Sequence, residues 1–307
     1  MAMRPKRRRI HANRRQAEVQ VKRMAEPNRA PSQTSSSKSF PLWTPPTGTL
    51  GALTREAHER AAADLTTLAD LRAEARDLPK APPFATVLRG NTIRVIAEIK
   101  RASPSKGAIA PGLHAVTQAQ LYTAGGAAAI SVLTEPQKFG GSLADLRAVT
   151  AAVHTPALRK DFIVHPVQLW QARVNGASAA LLIARALSQS ELEMLFHAAA
   201  EAELETLVEV RDEAELERAL AVGALVIGVN NRNLETLEID VTNAPRVIAQ
   251  MPAHIIAVAE SGLQTVADVA APARAGADAI LVGSAISASP NPEAAVRALA
   301  NVARVAR

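Results

Sequence analysis

The sequence predicts an α/β fold: a (β/α)8 barrel, or TIM barrel, with an N-terminal helical extension and a basic, disordered tail in front of it. Three observations predict it. Eight short apolar runs recur at intervals of roughly 20–34 residues, which leaves room for one helix and two loops between successive buried strands. The segments between the runs begin with helix-capping residues. Four runs are introduced by Gly-Ala, at Gly126-Ala127, Gly176-Ala177, Gly223-Ala224 and Gly276-Ala277, with the glycines 50, 47 and 53 residues apart, about two βα units each. Glycine suits the left-handed position that ends a helix. A doubly wound open sheet is the alternative, disfavoured because no Gly-x-Gly-x-x-Gly follows the first strand.

Composition removes several function classes. The 307 residues are 48% hydrophobic and 21% charged, enough for a large soluble core. No run approaches the ~18 apolar residues that span a bilayer. The absence of cysteine excludes disulfide scaffolds, thiolate metal sites and cysteine nucleophiles. Five Phe, two Trp and one Tyr are too few for a base-stacking platform.

In chain order, residues 1–47 read as a disordered tail. They hold 11 Lys and Arg against 2 acidic residues, including the run Lys6-Arg7-Arg8-Arg9, whereas residues 48–307 hold 24 against 27. The chain's formal charge of +6 therefore belongs to the tail. Three readings stay open: an arm for a polyanion, a transit peptide, or a solvated tail upstream of a start at Met24. No apolar h-region is present, so a cytoplasmic setting is expected rather than secretion. Residues 48–307 read as one catalytic domain. A helix is expected over 54–78, capped by Thr54, with Leu65, Leu68, Leu71 and Ala75 as its apolar stripe and Pro79 as its stop. The strands are expected at Val95–Ile99, Ala128–Leu133, Ala157–Phe162, Ala179–Ile183, Thr206–Val210, Val226–Val229, Ile255–Ala259 and Ala279–Val282. Ser142–Val153, Ser188–Glu201 and Thr265–Ala275 read as capped helices between them.

Such barrels place their chemistry at the C-terminal ends of the strands. The polar residues there are Glu98 and Lys100 on strand 1, Lys160 on strand 3, Glu209 on strand 5, Asn230 on strand 6, Glu260 and Ser261 on strand 7, and Gly283-Ser284 after strand 8. Side chains alternate along a strand, so Ile96, Glu98 and Lys100 share a face, as do Leu158, Lys160 and Phe162, and Leu207 and Glu209. With these faces inward, two lysines and three carboxylates converge above an aliphatic layer. Buried charges demand partners, and this alternation supplies them. Ser261-Gly262 and Gly283-Ser284 are candidate phosphate loops, since barrels bind phosphate after strands 7 and 8. Arg101–Gly107 has the polarity of a lid. None of the seven histidines falls at a strand end, and no metal-ligand spacing occurs, so no metal is expected. His165-Pro166 reads as a helix cap.

These segments resemble the indole-3-glycerol-phosphate synthase family of tryptophan biosynthesis. The match begins with Ile96-Ala97-Glu98-Ile99-Lys100-Arg101-Ala102-Ser103-Pro104-Ser105-Lys106-Gly107 and continues through Ser131–Glu135 and Phe139–Ser142. It includes Leu158-Arg159-Lys160-Asp161-Phe162, Leu207–Val210, Ile227–Leu234, Glu260-Ser261-Gly262 and Leu281-Val282-Gly283. The resemblance implies a carboxy-lyase that closes an indole ring on 1-(2-carboxyphenylamino)-1-deoxyribulose 5-phosphate, losing CO2 and water, with no cofactor. By resemblance Lys160 is the general acid and Glu209 the general base, with Glu98 orienting, Lys100 pairing with substrate anions, and Glu260 orienting hydroxyls. Asn230 and Arg232 would hold the ring-closing conformer. Ser103, Phe139, Phe162 and Leu181 would bind substrate, together with Ser261, Gly262, Gly283 and Ser284. Arg185 departs from the small apolar residue usual in the family, and is expected to add a cation near the site.

Two other functions stay in view: a phosphoribosyl-type isomerase on the same barrel, and a non-catalytic barrel whose tail binds nucleic acid. The expected partner is a small phosphorylated molecule, with no membrane and nucleic acid only through residues 1–47. Oligomeric state is left open, a monomer being compatible.

Overall fold

The computed structural model describes residues 40, 42–64 and 66–307, so the expected tail lies almost wholly outside the described residues. Eight strands close into a barrel: β1 (Arg94–Ile99), β2 (Ala129–Leu133), β3 (Ala157–Lys160), β4 (Ala179–Ile183), β5 (Glu205–Val210), β6 (Val226–Asn230), β7 (Ile256–Glu260) and β8 (Ala279–Val282). Every pairing is parallel, β1 with β2 and on round to β8, which pairs with β1. The strands are buried on both faces, which is why they read as continuous apolar runs rather than alternating ones. The third ends at Lys160, two residues short of the expected Phe162. Asp161 turns the chain there, its Oδ1 accepting the Phe162 N–H at 2.9 Å.

The outer helices follow their caps. They are α1 (Gly48–Ala63), α2 (Leu68–Ala75), α3 (Ala115–Ala124), α4 (Leu143–Ala152), α5 (Pro166–Val174), α6 (Gln189–Glu201), α7 (Glu213–Ala221), α8 (Asn243–Ile248), α9 (Val266–Arg274), α10 (Ser284–Ser287) and α11 (Pro292–Ala300). Ser142, Ser188 and Thr265 cap α4, α6 and α9 as expected, and His165 caps α5 through Nδ1. Gly126, Gly176, Gly223 and Gly276 have φ between +79° and +92°, the left-handed turn from helix into strand.

The N-terminal extension differs from expectation. Instead of one helix over 54–78 there are two, α1 beginning at Gly48 and α2 at Leu68. Thr54 is no cap: it is buried within α1 and its hydroxyl donates to the Leu50 carbonyl at 2.8 Å. The break arises because Thr67 and Asp70 form a reciprocal capping box that starts a new helix. Leu65, counted in the expected stripe, lies outside the described residues. Residues 42–47, grouped with the tail by composition, are instead bonded to the barrel: Trp43 Nε1 donates to the Arg185 carbonyl at 3.2 Å.

The two ends of the barrel are built differently. At the N-terminal end, buried Asp278 holds the chain terminus through Arg304 (2.8 Å) and Arg307 (3.0 Å) and accepts the Ala257 N–H (2.9 Å). The C-terminal end is open, and the cavity begins there.

Candidate active site

The strand register puts the charged residues on one face of the sheet. Glu98 pairs with Ser131, Lys160 with Leu133, Glu209 with Gly228, and Glu260 with both Asn230 and Leu281. Register partners share a face, so these side chains point into the barrel above Ile96, Leu158, Leu181 and Leu207. Two glycines make room for the carboxylates. A Cβ at Gly228 would stand 2.0 Å from Glu260 Oε1, and one at Gly283 would stand 2.4 Å from Glu98 Oε1.

The charges are interleaved. Lys100 Nζ lies 3.1 Å from Glu98 Oε1, and Lys160 Nζ lies 3.6 Å from Glu209 Oε2. Asn230 Nδ2 donates to Glu209 Oε1 at 3.0 Å. Burial works against the Lys160 ammonium, but Glu209, Glu98 and Glu260 outweigh it and raise its pKa above the ordinary lysine value. Burial would raise Glu98, yet Lys100 and Lys160 hold its carboxyl below the usual range. Burial, then the adjacent Glu209 charge, push Glu260 well above the usual carboxylate range. Among the described residues, Glu260 Oε1 and Glu209 Oε2 are both buried without a hydrogen-bond partner.

A cavity of about 190 Å³ opens over this cluster. Glu98, Lys100, Lys160, Asn230 and Glu260 form its floor, with Ser103, Phe139, Phe162, Leu181 and Arg232 on the walls. The Phe139 and Phe162 ring centroids are 6.2 Å apart, and Lys100 Nζ sits 5.6 Å from the Phe139 centroid. Ser261 and Gly262 after β7, and Gly283 and Ser284 after β8, line it as well. Ser261 and Gly262 both have positive φ, +64° and +76°, an unusual conformation for serine that turns the backbone at this wall. Among the described residues no side chain caps α10, and Ser284 and Ala285 at its start line the cavity. Arg232 is half-buried with no carboxylate partner among the described residues, and burial lowers its pKa. An unpaired cation in a cavity wall is ready for an anion.

A family model described as indole-3-glycerol phosphate synthase matches residues 52–299. The chain belongs to the indole-3-glycerol phosphate synthase family. Among similar curated relatives is "Indole-3-glycerol phosphate synthase 1" of Streptomyces coelicolor, 50% identical over 229 residues, which are 75% of this chain and 85% of the relative. Synthases named alike from Rhodococcus jostii (49% identical, 76% of this chain and 87% of theirs) and Mycolicibacterium gilvum (47%, 76% and 85%) match similarly. Among solved structures, a thiamine phosphate pyrophosphorylase from Pyrococcus furiosus superposes with a TM-score of 0.53 at 15% identity, covering 68% of this chain and 94% of its own, a likeness of fold alone. No helix among the described residues is long and apolar enough to cross a membrane.

Within this synthase fold, two positions differ from the sequence reading. Glu209 does not line the main cavity. It stands behind Lys160 and Asn230 and lines a second cavity of about 170 Å³ together with Arg211, Asp212 and Glu215. Arg185 also lines that second cavity rather than the first, and is paired with Glu235 at 2.9 Å. Its cation is therefore spent on a protein carboxylate. Sequence reasoning assigned no role to the group that fixes the aromatic wall. Asp161, one residue past Lys160 and also at the cavity, accepts from Arg159 (3.0 Å) and Thr134 (2.6 Å) and pairs with Arg60 of α1 (3.5 Å). Glu135, fully buried, accepts the Lys138 and Phe139 N–H groups and so shapes the loop that carries Phe139. The alternation that put Lys160 inside would have put Arg159 and Asp161 outside. The cavity walls also include Lys106, Leu234, Leu237 and Ile239. Thr49 and Leu53 of α1 reach it too, so the extension is part of the site.

Proposed function

We propose that this protein closes the indole ring of 1-(2-carboxyphenylamino)-1-deoxyribulose 5-phosphate with loss of CO2 and water. The observation that carries the reading is Lys160 set among three buried acidic side chains, Glu98, Glu209 and Glu260, at a cavity that is also lined by the Ser-Gly and Gly-Ser loops after β7 and β8. The phosphate lies against Ser261-Gly262 and Gly283-Ser284, where orphan N–H groups favour an anion. The aryl ring packs between Phe139, Phe162 and Leu181, and its carboxylate meets Lys100 or Arg232. Ser103 closes over the substrate from the loop after β1. Held this way, the carboxylate-bearing aryl carbon faces the ketone carbon, and proximity of that kind lowers a barrier by ~7–11 kcal/mol.

Ring closure forms a carbon–carbon bond and turns the ketone oxygen into a hydroxyl. Lys160 donates that proton. Its raised pKa keeps it charged at neutral pH, and the developing alkoxide is a stronger base still. CO2 leaves as the ring regains aromaticity. Dehydration then breaks the carbon–oxygen bond of the former ketone carbon and a C–H bond of the adjacent methylene, which leaves the indole double bond. The second ammonium, Lys100, stands ready to protonate the departing hydroxyl. Glu209, buried beside Lys160, takes the proton released. Asn230 orients Glu209, Glu98 orients Lys100, and Glu260 orients the substrate hydroxyls. Purified protein incubated with this substrate should develop indole fluorescence and release CO2 in equal amounts. No fluorescence at micromolar enzyme overturns the assignment.

A further inference from the structure

Glu235 lies on the loop after β6, three residues beyond Arg232, and ties three distant segments together. Its Oε1 accepts the Thr47 N–H at 2.6 Å, the Thr47 hydroxyl at 3.0 Å and the Arg185 guanidinium at 2.9 Å. Its carbonyl accepts the Thr49 N–H at 3.1 Å. Arg185 in turn donates to the Thr44 carbonyl at 2.7 Å, and its own carbonyl accepts Trp43 Nε1. Residue 48 lets the chain pass this close: it is a glycine at φ +55°, and a Cβ there would meet the Glu235 carbonyl oxygen at 2.3 Å.

Both sides of this knot lead to the cavity. The β6 loop carries Arg232, Leu234, Leu237 and Ile239 to its wall, and Arg232 Nη1 donates to the Leu237 carbonyl at 2.8 Å. From Gly48 onward α1 carries Thr49 and Leu53 to the same cavity. Among the described residues Arg232 has no carboxylate of its own to fix it, so its place depends on how firmly the loop is held. An isolated, half-exposed ion pair would add little stability. A carboxylate with three donors from two other segments instead fixes position.

We propose that Glu235 is a positioning residue for ring closure: by joining Arg185 and the Trp43–Thr49 segment to the β6 loop, it holds Arg232 and the apolar wall against the substrate. This rests on the function proposed above. Replacing Trp170 by Phe leaves Trp43 as the sole tryptophan, so its emission reports docking of the segment. In that background Glu235→Ala should raise KM about tenfold while kcat changes less than about threefold, and should shift Trp43 emission to the red. Glu235→Gln keeps one acceptor oxygen and should recover part of both. Gly48→Ala, which keeps the Glu235 side chain but pushes the segment off the Glu235 carbonyl, should reproduce the KM rise. An unchanged KM in Glu235→Ala, or a fall confined to kcat, overturns the proposal, as does a Trp43 emission that does not move. A parent enzyme without turnover overturns the function on which it rests.

Discussion

Replacing Gly228 by alanine tests how the carboxylates are seated. The added Cβ would stand 2.0 Å from Glu260 Oε1, 3.1 Å from its Cδ and 3.4 Å from Leu207 Cδ1. Ordinary contact begins near 3.4 Å, so the Glu260 carboxyl has to retreat from its seat by about 1.4 Å. Overpacking of this kind costs ~1–3 kcal/mol, and a displacement near 1 Å among reacting groups costs up to ~10²-fold in rate. Gly228→Ala should therefore lower kcat by ~10–100-fold in the indole fluorescence assay and reduce Tm by several degrees. Gly112→Ala, where no atom lies within 4 Å of the new Cβ, should leave both unchanged. Adding Glu260→Asp to Gly228→Ala shortens the displaced side chain and should restore Tm without restoring kcat. A Gly228→Ala enzyme with parental kcat and Tm refutes the reasoning.

Three further outcomes follow from the same structure. Ser284→Asp places a negative charge on the wall assigned to phosphate and should raise KM by at least tenfold in steady-state assays, with a smaller change in kcat. Asp278→Asn strips the buried anchor from Arg304 and Arg307 at the end of the barrel away from the cavity; denaturant titration should show a loss of ~3–5 kcal/mol while kcat of the folded enzyme holds. Burial, with Asp212 adding to it, pushes the Glu215 carboxyl up to about 7, so the folded state keeps a proton that the unfolded chain releases above 4.5. Stability is then full below pH 4.5 and falls as pH rises through about 7. Glu215→Gln retains the acceptor for the Arg211 N–H and should raise Tm at pH 8 by the equivalent of up to ~3 kcal/mol, with no gain at pH 4.

The barrel was legible because its periodicity is strong: buried parallel strands are continuous apolar runs, and left-handed glycines at 126, 176, 223 and 276 mark their approach. The cluster was legible through parity, since Glu98, Lys160, Glu209, Asn230 and Glu260 sit at inward positions of strand ends. Other features depend on contacts between distant segments. The Thr67–Asp70 capping box interrupts an apolar stripe that reads as one helix, because local capping competes with periodicity and here wins. Glu135 and Asp161 are carboxylates like the others, and only their donors show them to be fixing loops. Arg185 reads as a free cation until Glu235, 50 residues away, is seen beside it. Gly228 carries no turn signal at all; its need for hydrogen in place of a Cβ comes from Glu260 on the neighbouring strand.

Lys160 is where the account is most exposed to a single measurement. Rapid mixing of excess Lys160→Ala enzyme with the anthranilate-derived substrate, followed by indole fluorescence, reads the chemical step alone. Loss of the general acid predicts a first-turnover rate ~10²–10⁴-fold below the parent, with near-ultraviolet circular dichroism unchanged. A first turnover as fast as the parent's would contradict the assignment of ring closure to this ammonium group.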